Sequence, residues 1–137
     1  MGSYNHSLLQ ARLAIKLGIL SQYEVFIELS IEINGNEYKP DVCLYPKVKS
    51  IIWEDIIRMT ELPVLAIEIL SPSQYIQDLI KKIKAYFSAG IKSTWLVIPI
   101  PKSITVFSSL EDFETFSKGN VIDNVIGVEL AINELFN

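Results

Sequence analysis

The sequence predicts a mixed α/β (α+β) fold, a central sheet with parallel and antiparallel strands flanked by helices. Three observations lead there. Residues 23–33 alternate apolar and polar side chains ahead of an Asn-Gly turn, as an antiparallel hairpin with one buried face does. Residues 64–70 and 94–98 are almost wholly apolar, the mark of strands covered on both faces. Between them lies an amphipathic stretch of helical period, so 64–98 reads as a βαβ unit, expected to be parallel and right-handed.

The elements follow in order. Leu8, Leu9, Leu13, Ala14 and Leu17 share one face of a helix over Asn5–Leu17, with Gly18 as a stop. The first strand runs from Tyr23 to Ile33. It buries Tyr23, Val25, Ile27, Leu29, Ile31 and Ile33 and leaves Glu24, Glu28 and Glu32 solvated. Asn34-Gly35-Asn36 turns the chain into a return strand from Tyr38 to Leu44, ending near Pro46. Residues 50–61 carry mixed signals and are read as a short helix around Trp53–Met59. The strand Val64–Leu70 leads to Ser71-Pro72-Ser73, which starts a helix running to Ala89 with Gly90 as its stop. Thr94–Ile98 and Ile104–Phe107 are further strands. The tail is less regular.

Composition narrows the function. The chain has 137 residues, half of them apolar, which suits a single domain over 1–137. No apolar run approaches the roughly 18 residues of a membrane helix, and MGSYNHSLLQ lacks the build of a signal peptide, so a cytoplasmic protein is expected. One cysteine, Cys43, excludes an internal disulfide framework and a multi-cysteine zinc site, and one histidine, His6, excludes histidine-rich metal sites. The net charge of −4 argues against a broad nonspecific nucleic-acid surface. Local contact with nucleic acid stays open, because a bound cation offsets acidic ligands.

The chemistry is signalled by an acid inside an apolar strand, Glu68 in "VLAIEILSPS". An unpaired carboxylate there costs several kcal/mol, on the order of the buried-ion penalty, unless something compensates it. Asp41, after Pro40 on the return strand, can converge with Glu68 if the two strands are neighbours. Two oxygen ligands on rigid strands suit a magnesium ion completed by water and phosphate. The bland reading is two partly exposed strand acids bonded to arginine or backbone.

These residues resemble a known family. "KPDVCLYP", "LAIEILSPS", the series Asp78, Lys82, Tyr86, Gly90 and "STWLVIP" occur in the order and spacing of the Uma-two family, and "IGVELAINELF" is similar to its C-terminus. The family's proteins are restriction-endonuclease-like nucleases of the PD-(D/E)XK superfamily. The resemblance implies that Asp41 and Glu68 bind Mg2+, with Mn2+ as a substitute, helped by the backbone carbonyl of Ile69. It implies an endodeoxyribonuclease acting on DNA, which in such nucleases often works as a homodimer. The superfamily's lysine would stand two residues after Glu68, where this chain has Leu70; in the Uma-two family the position of Lys82 supplies it.

Helical geometry bears on that relocation separately. Ile76, Leu79, Ile80, Ile83 and Phe87 form the arc facing the sheet, Lys81 and Lys84 point to solvent, and Lys82 lies on the arc's border with Tyr75, Asp78 and Tyr86. A border lysine can reach the sheet edge, or form an i,i+4 pair with Asp78. The chain departs from the family in beginning after its extra N-terminal segment, and the first helix holds no acid. A catalytically reduced binding or dimerisation module is therefore the alternative reading, and RNA a further substrate class.

The remaining candidates have bland readings. Cys43 is expected to be a buried structural thiol, His6 a helix-start or surface residue, and Trp53 and Trp95 core aromatics. Lys39, Lys47 and Lys49 flank Asp41's strand, either as a solvated loop or as phosphate contacts.

Overall fold

The structure is a computed structural model that describes residues 2–48 and 50–137. The elements are α1 (Tyr4–Gly18), β1 (Tyr23–Ile27), β2 (Ile31–Ile33), β3 (Asn36–Tyr38), β4 (Val42–Pro46), β5 (Leu65–Ile69), α2 (Ile76–Ala89), β6 (Ser93–Ile98), β7 (Ser103–Phe107), β8 (Phe113–Phe116), β9 (Asn120–Asp123), β10 (Val128–Ala131) and α3 (Ile132–Phe136). A six-stranded sheet has the order β1-β4-β5-β6-β7-β8. Only β5 and β6 pair in parallel, and α2 connects them, so the expected βαβ unit sits at the centre of an otherwise antiparallel sheet.

The period of two along β5 divides the core. Leu65, Ile67 and Ile69 pack with Leu9, Leu13 and Leu17 of α1 and with the C-terminal hairpin β9–β10 and α3. On the opposite face, Ala66 packs with Tyr86 of α2 and with Ile31 and Ile33, while Leu79 and Ile83 meet Leu96 and Phe107. Glu68 belongs by alternation to this α2 face.

The hairpin is corrected in detail. Its tip is as expected: Asn34 and Gly35 have φ of +51° and +80°, which suits a two-residue turn with both residues left-handed, and Ile33 pairs with Asn36. The long first strand, however, breaks at Glu28, whose φ of +51° cannot continue a pleat. Across from the break Pro40 has no N–H to extend the ladder. The pair therefore splits into β1–β4 within the main sheet and β2–β3 beside it. Tyr23 and Val25 face the α1 side, whereas Ile31 and Ile33 reach the α2 side. Ile27, expected inside, is exposed.

Residues 50–61 form no helix. The chain returns through one bridge, with Met59 N–H donating to the Ser30 carbonyl (2.8 Å) and Glu32 N–H to that of Met59 (2.9 Å). The Asp55 carboxylate turns back to the Ile56 N–H (2.8 Å), a local bond of the kind that competes with a helix. Trp53 is fully exposed rather than core, because among the described residues nothing packs over it; Trp95 is buried as expected. Ser71 does not cap α2. It closes a turn with Gln74, and α2 begins at Ile76, where Asp78 accepts from the Tyr75 N–H (3.3 Å). Among the described residues no helix is long and apolar enough to cross a membrane.

The tail is more regular than expected and is tied to the sheet by Asp123. This buried carboxylate accepts from the Ser93 hydroxyl and from the Trp95 indole N–H (2.8 Å), and from the N–H groups of Val125 (3.0 Å) and Ile126 (3.4 Å). Removing one partner of a buried network strands the others. Asp123→Ala is expected to lower the unfolding free energy in urea by about 3 kcal/mol or more, and Trp95→Phe by about 1–2 kcal/mol. Equal losses below about 1 kcal/mol for both would contradict the latch.

Candidate active site

Asp41 stands directly before β4, not on it. The β4–β5 register pairs Val42 with Ile67, so one step further Asp41 comes opposite Glu68. The two acids thus meet at one edge of the sheet, where β4 begins and β5 ends. Pro40 and the kink at Glu28 end the ladder at Asp41, whose carbonyl accepts a last backbone bond from the Glu28 N–H (3.3 Å), and its side chain turns inward: Oδ2 accepts from the Ile69 N–H at 2.7 Å. A strand residue's N–H and C=O point to the same side. Ile69 therefore directs its carbonyl to the edge that Asp41 occupies.

Glu68 is 1% exposed. Its Oε2 accepts from the Tyr86 hydroxyl at 2.6 Å, and its Oε1 lies 3.6 Å from Lys82 Nζ. The spacing of four along α2 places both partners above the same carboxylate. Lys82 joins Glu68 rather than Asp78, whose carboxylate is turned to the Tyr75 N–H. Lys81 and Lys84 are exposed, as the helical geometry predicts. Tyr86, placed by the sequence on the border of the arc, is fully buried. Leu70 packs against the cluster of Leu79, Ile83 and Leu96.

Charge is out of balance here. Burial, and then the neighbouring Asp41, push the Glu68 carboxyl up to about 7, against the pull of Lys82 and the Tyr86 hydroxyl. Burial and then Glu68 push the Cys43 thiol up to about 12, so Cys43 is the inert structural thiol the pattern suggested. Burial, followed by Glu68, also raises the Tyr86 hydroxyl, which keeps Tyr86 a donor.

Sequence reasoning missed two contributors from α1. His6 is 3% exposed, and its Nε2 lies 3.2 Å from Asp41 Oδ2. Gln10, one turn on, donates Nε2–H bonds to the Asp41 carbonyl (2.8 Å) and to Glu28 Oε2 (3.1 Å). A signal existed: His6 extends the stripe of Leu9, Leu13 and Leu17 by one turn. Of the lysines beside Asp41's strand, Lys39 is exposed two residues from Asp41. Lys47 sits past the far end of β4, 3.5 Å from Glu24, and Lys49 lies outside the described residues.

Residues 1–133 match the sequence model of Uma2, described as a putative restriction endonuclease. The chain belongs to the Uma2 family. A solved structure described as a putative nuclease belonging to DUF820, from Anabaena variabilis, superposes with a TM-score of 0.85 at 22% identity, covering 99% of this chain and 82% of that one. That likeness is one of fold, and it is the restriction-endonuclease-like fold expected from the motifs. No curated protein matches. Asp41, Glu68 and Lys82 of this Uma2 protein converge on one sheet edge, although they are separated in sequence. Among the described residues no group of three or more His, Cys, Asp and Glu side chains forms a ready metal cage.

The raised Glu68 carboxyl has a consequence for stability. It titrates at about 7 in the folded protein against 4.5 for a free carboxyl, so the folded form keeps a proton that the unfolded chain has lost. Stability from this group is undiminished below pH 4.5, falls as the pH rises towards 7, and stays low above it. Without divalent cations, the difference in unfolding free energy between wild type and Glu68→Gln should fall by up to about 3 kcal/mol across that window. Urea titrations from about pH 4 to about pH 8 measure it. A flat difference would contradict the buried, uncompensated carboxylate.

Proposed function

We propose that this Uma2 protein is a magnesium-dependent endonuclease that hydrolyses phosphodiester bonds in DNA, with Mn2+ able to replace Mg2+. The observation that carries the reading is the convergence of Asp41, Glu68 and Lys82 at one sheet edge.

The donor set fits a hard divalent cation. Magnesium is usually held by one or two carboxylates with water and substrate phosphate, not by an all-protein cage. Asp41, Glu68 and the Ile69 carbonyl are such a set, all oxygen. Burial first, and then Asp41, raise the Glu68 carboxyl to about 7 despite Lys82 and Tyr86, so a cation between the two acids would relieve a repulsion that those partners leave standing. Asp41 Oδ1 and both Glu68 oxygens keep lone-pair capacity beyond the bonds described. When bound, the cation would activate water and stabilise charge on the phosphate.

The chain's own residues do the rest. The Tyr86 hydroxyl fixes the Glu68 carboxylate, and Ile69 N–H fixes that of Asp41, so both stay aimed without loop movement. The Lys82 ammonium is about a third exposed, so it can turn from Glu68 towards a phosphate oxygen and oppose the charge that builds there. The net charge of −4 argues against a broad DNA-binding surface, so the reading places DNA contact locally at this edge. A homodimer would offer one such edge to each strand.

Cleavage of supercoiled, linear and single-stranded DNA, with RNA alongside, tests the reading. Wild type should cut DNA with Mg2+ or Mn2+ and stop with a chelator. Glu68→Ala and Asp41→Ala should remove cutting while circular dichroism stays unchanged, and Lys82→Met should slow it about 100-fold or more. No cleavage by wild type with either cation overturns the enzyme. That result would favour a catalytically reduced module, for which the net charge of −4 speaks.

A further inference from the structure

His6 has no evident reason to be a histidine. It lies on the buried stripe of α1 with Leu9, Leu13 and Leu17, and its Nδ1 has no hydrogen-bond partner among the described residues. A leucine would complete that stripe without leaving a polar atom unpaired in the interior. What leucine would lose is the approach of Nε2 to Asp41 Oδ2, at 3.2 Å.

We propose that His6 is a positioning residue for Asp41, holding Oδ2 together with the Ile69 N–H so that Oδ1 is the oxygen offered to the divalent cation. Oδ2 already accepts from Ile69 at 2.7 Å, and an acceptor facing Nε2 selects the tautomer that carries its proton there. Nδ1 is then an unpaired acceptor, a cost that a leucine would not carry. Gln10 grips the same residue by its backbone carbonyl, at 2.8 Å. One turn of α1 thus clamps Asp41 at two points, side chain and main chain. Second-layer contacts of this kind orient a ligating carboxylate and tune its affinity for a metal.

The inference rests on the cation site proposed above, and the two can fail separately. The experiment is calorimetric titration of Mn2+ alone into the metal-free full chain, with thermal melts in parallel. His6→Leu should melt no lower than wild type yet bind Mn2+ about 10-fold to 100-fold more weakly. His6→Gln, whose amide N–H can reach where Nε2 stands, should recover most of that affinity. If His6→Leu does not fold, His6→Met takes its place against His6→Gln, and equal affinities of those two overturn the proposal. Wild-type affinity in His6→Leu overturns the role of His6 alone. Absence of Mn2+ uptake by wild type overturns the cation site, and this inference with it.

Discussion

The structure turns on the burial of the Glu68 carboxylate inside the central parallel pair of strands. A charge there is tolerated only with partners, and three side chains surround it from two directions. Tyr86 and Lys82 come from α2, the helix that links the two strands, and Asp41 comes from the adjoining strand end. The first two stabilise the charge. Asp41 opposes it, and together with burial it prevails. A fold evolved only for stability gains nothing from setting two carboxylates against each other at a sheet edge; a site for a hard cation needs that arrangement.

Features that look like irregularities serve this edge. The left-handed Glu28 and the N–H-less Pro40 end the hairpin ladder where Asp41 must leave it. Gln10 spans the gap, bonding both the Glu28 carboxylate and the Asp41 carbonyl. Backbone strain at such a position is sustained when neighbours over-determine it, and these bonds do so. The C-terminal latch at Asp123 acts at a distance. It anchors β9 to Ser93 and Trp95 of β6, the strand that pairs with β5, so the rigidity of the edge draws on residues far along the chain.

The parts of this account that could be read from the sequence were those carried by local period. An acid in an apolar run located Glu68, two apolar strands around an amphipathic helix located the βαβ unit, and the helical border singled out Lys82 among its lysine neighbours. What local pattern could not supply was depth. Tyr86 sits at the border of the arc by angle, but whether a border residue is buried depends on Ala66, Ile31 and Ile33, which arrive from elsewhere. His6 does stand at the start of α1, as read, but its burial was not legible because the contact that explains it, Asp41, is distant in sequence. Trp53 looked like core because aromatic residues usually are, and only the loop's lack of a covering element leaves it in solvent. The alternation of period two continues through Glu28 even though the backbone does not, so the sequence overstates the length of the hairpin.

The central claim is that Asp41 and Glu68 share a cation. Anomalous diffraction from crystals soaked in Mn2+ tests it most directly. The account predicts one peak at the sheet edge, within about 2.2 Å of an oxygen from each carboxylate and near the Ile69 carbonyl. A well-ordered crystal with no peak between Asp41 and Glu68, or with peaks only at other surface acids, would contradict it.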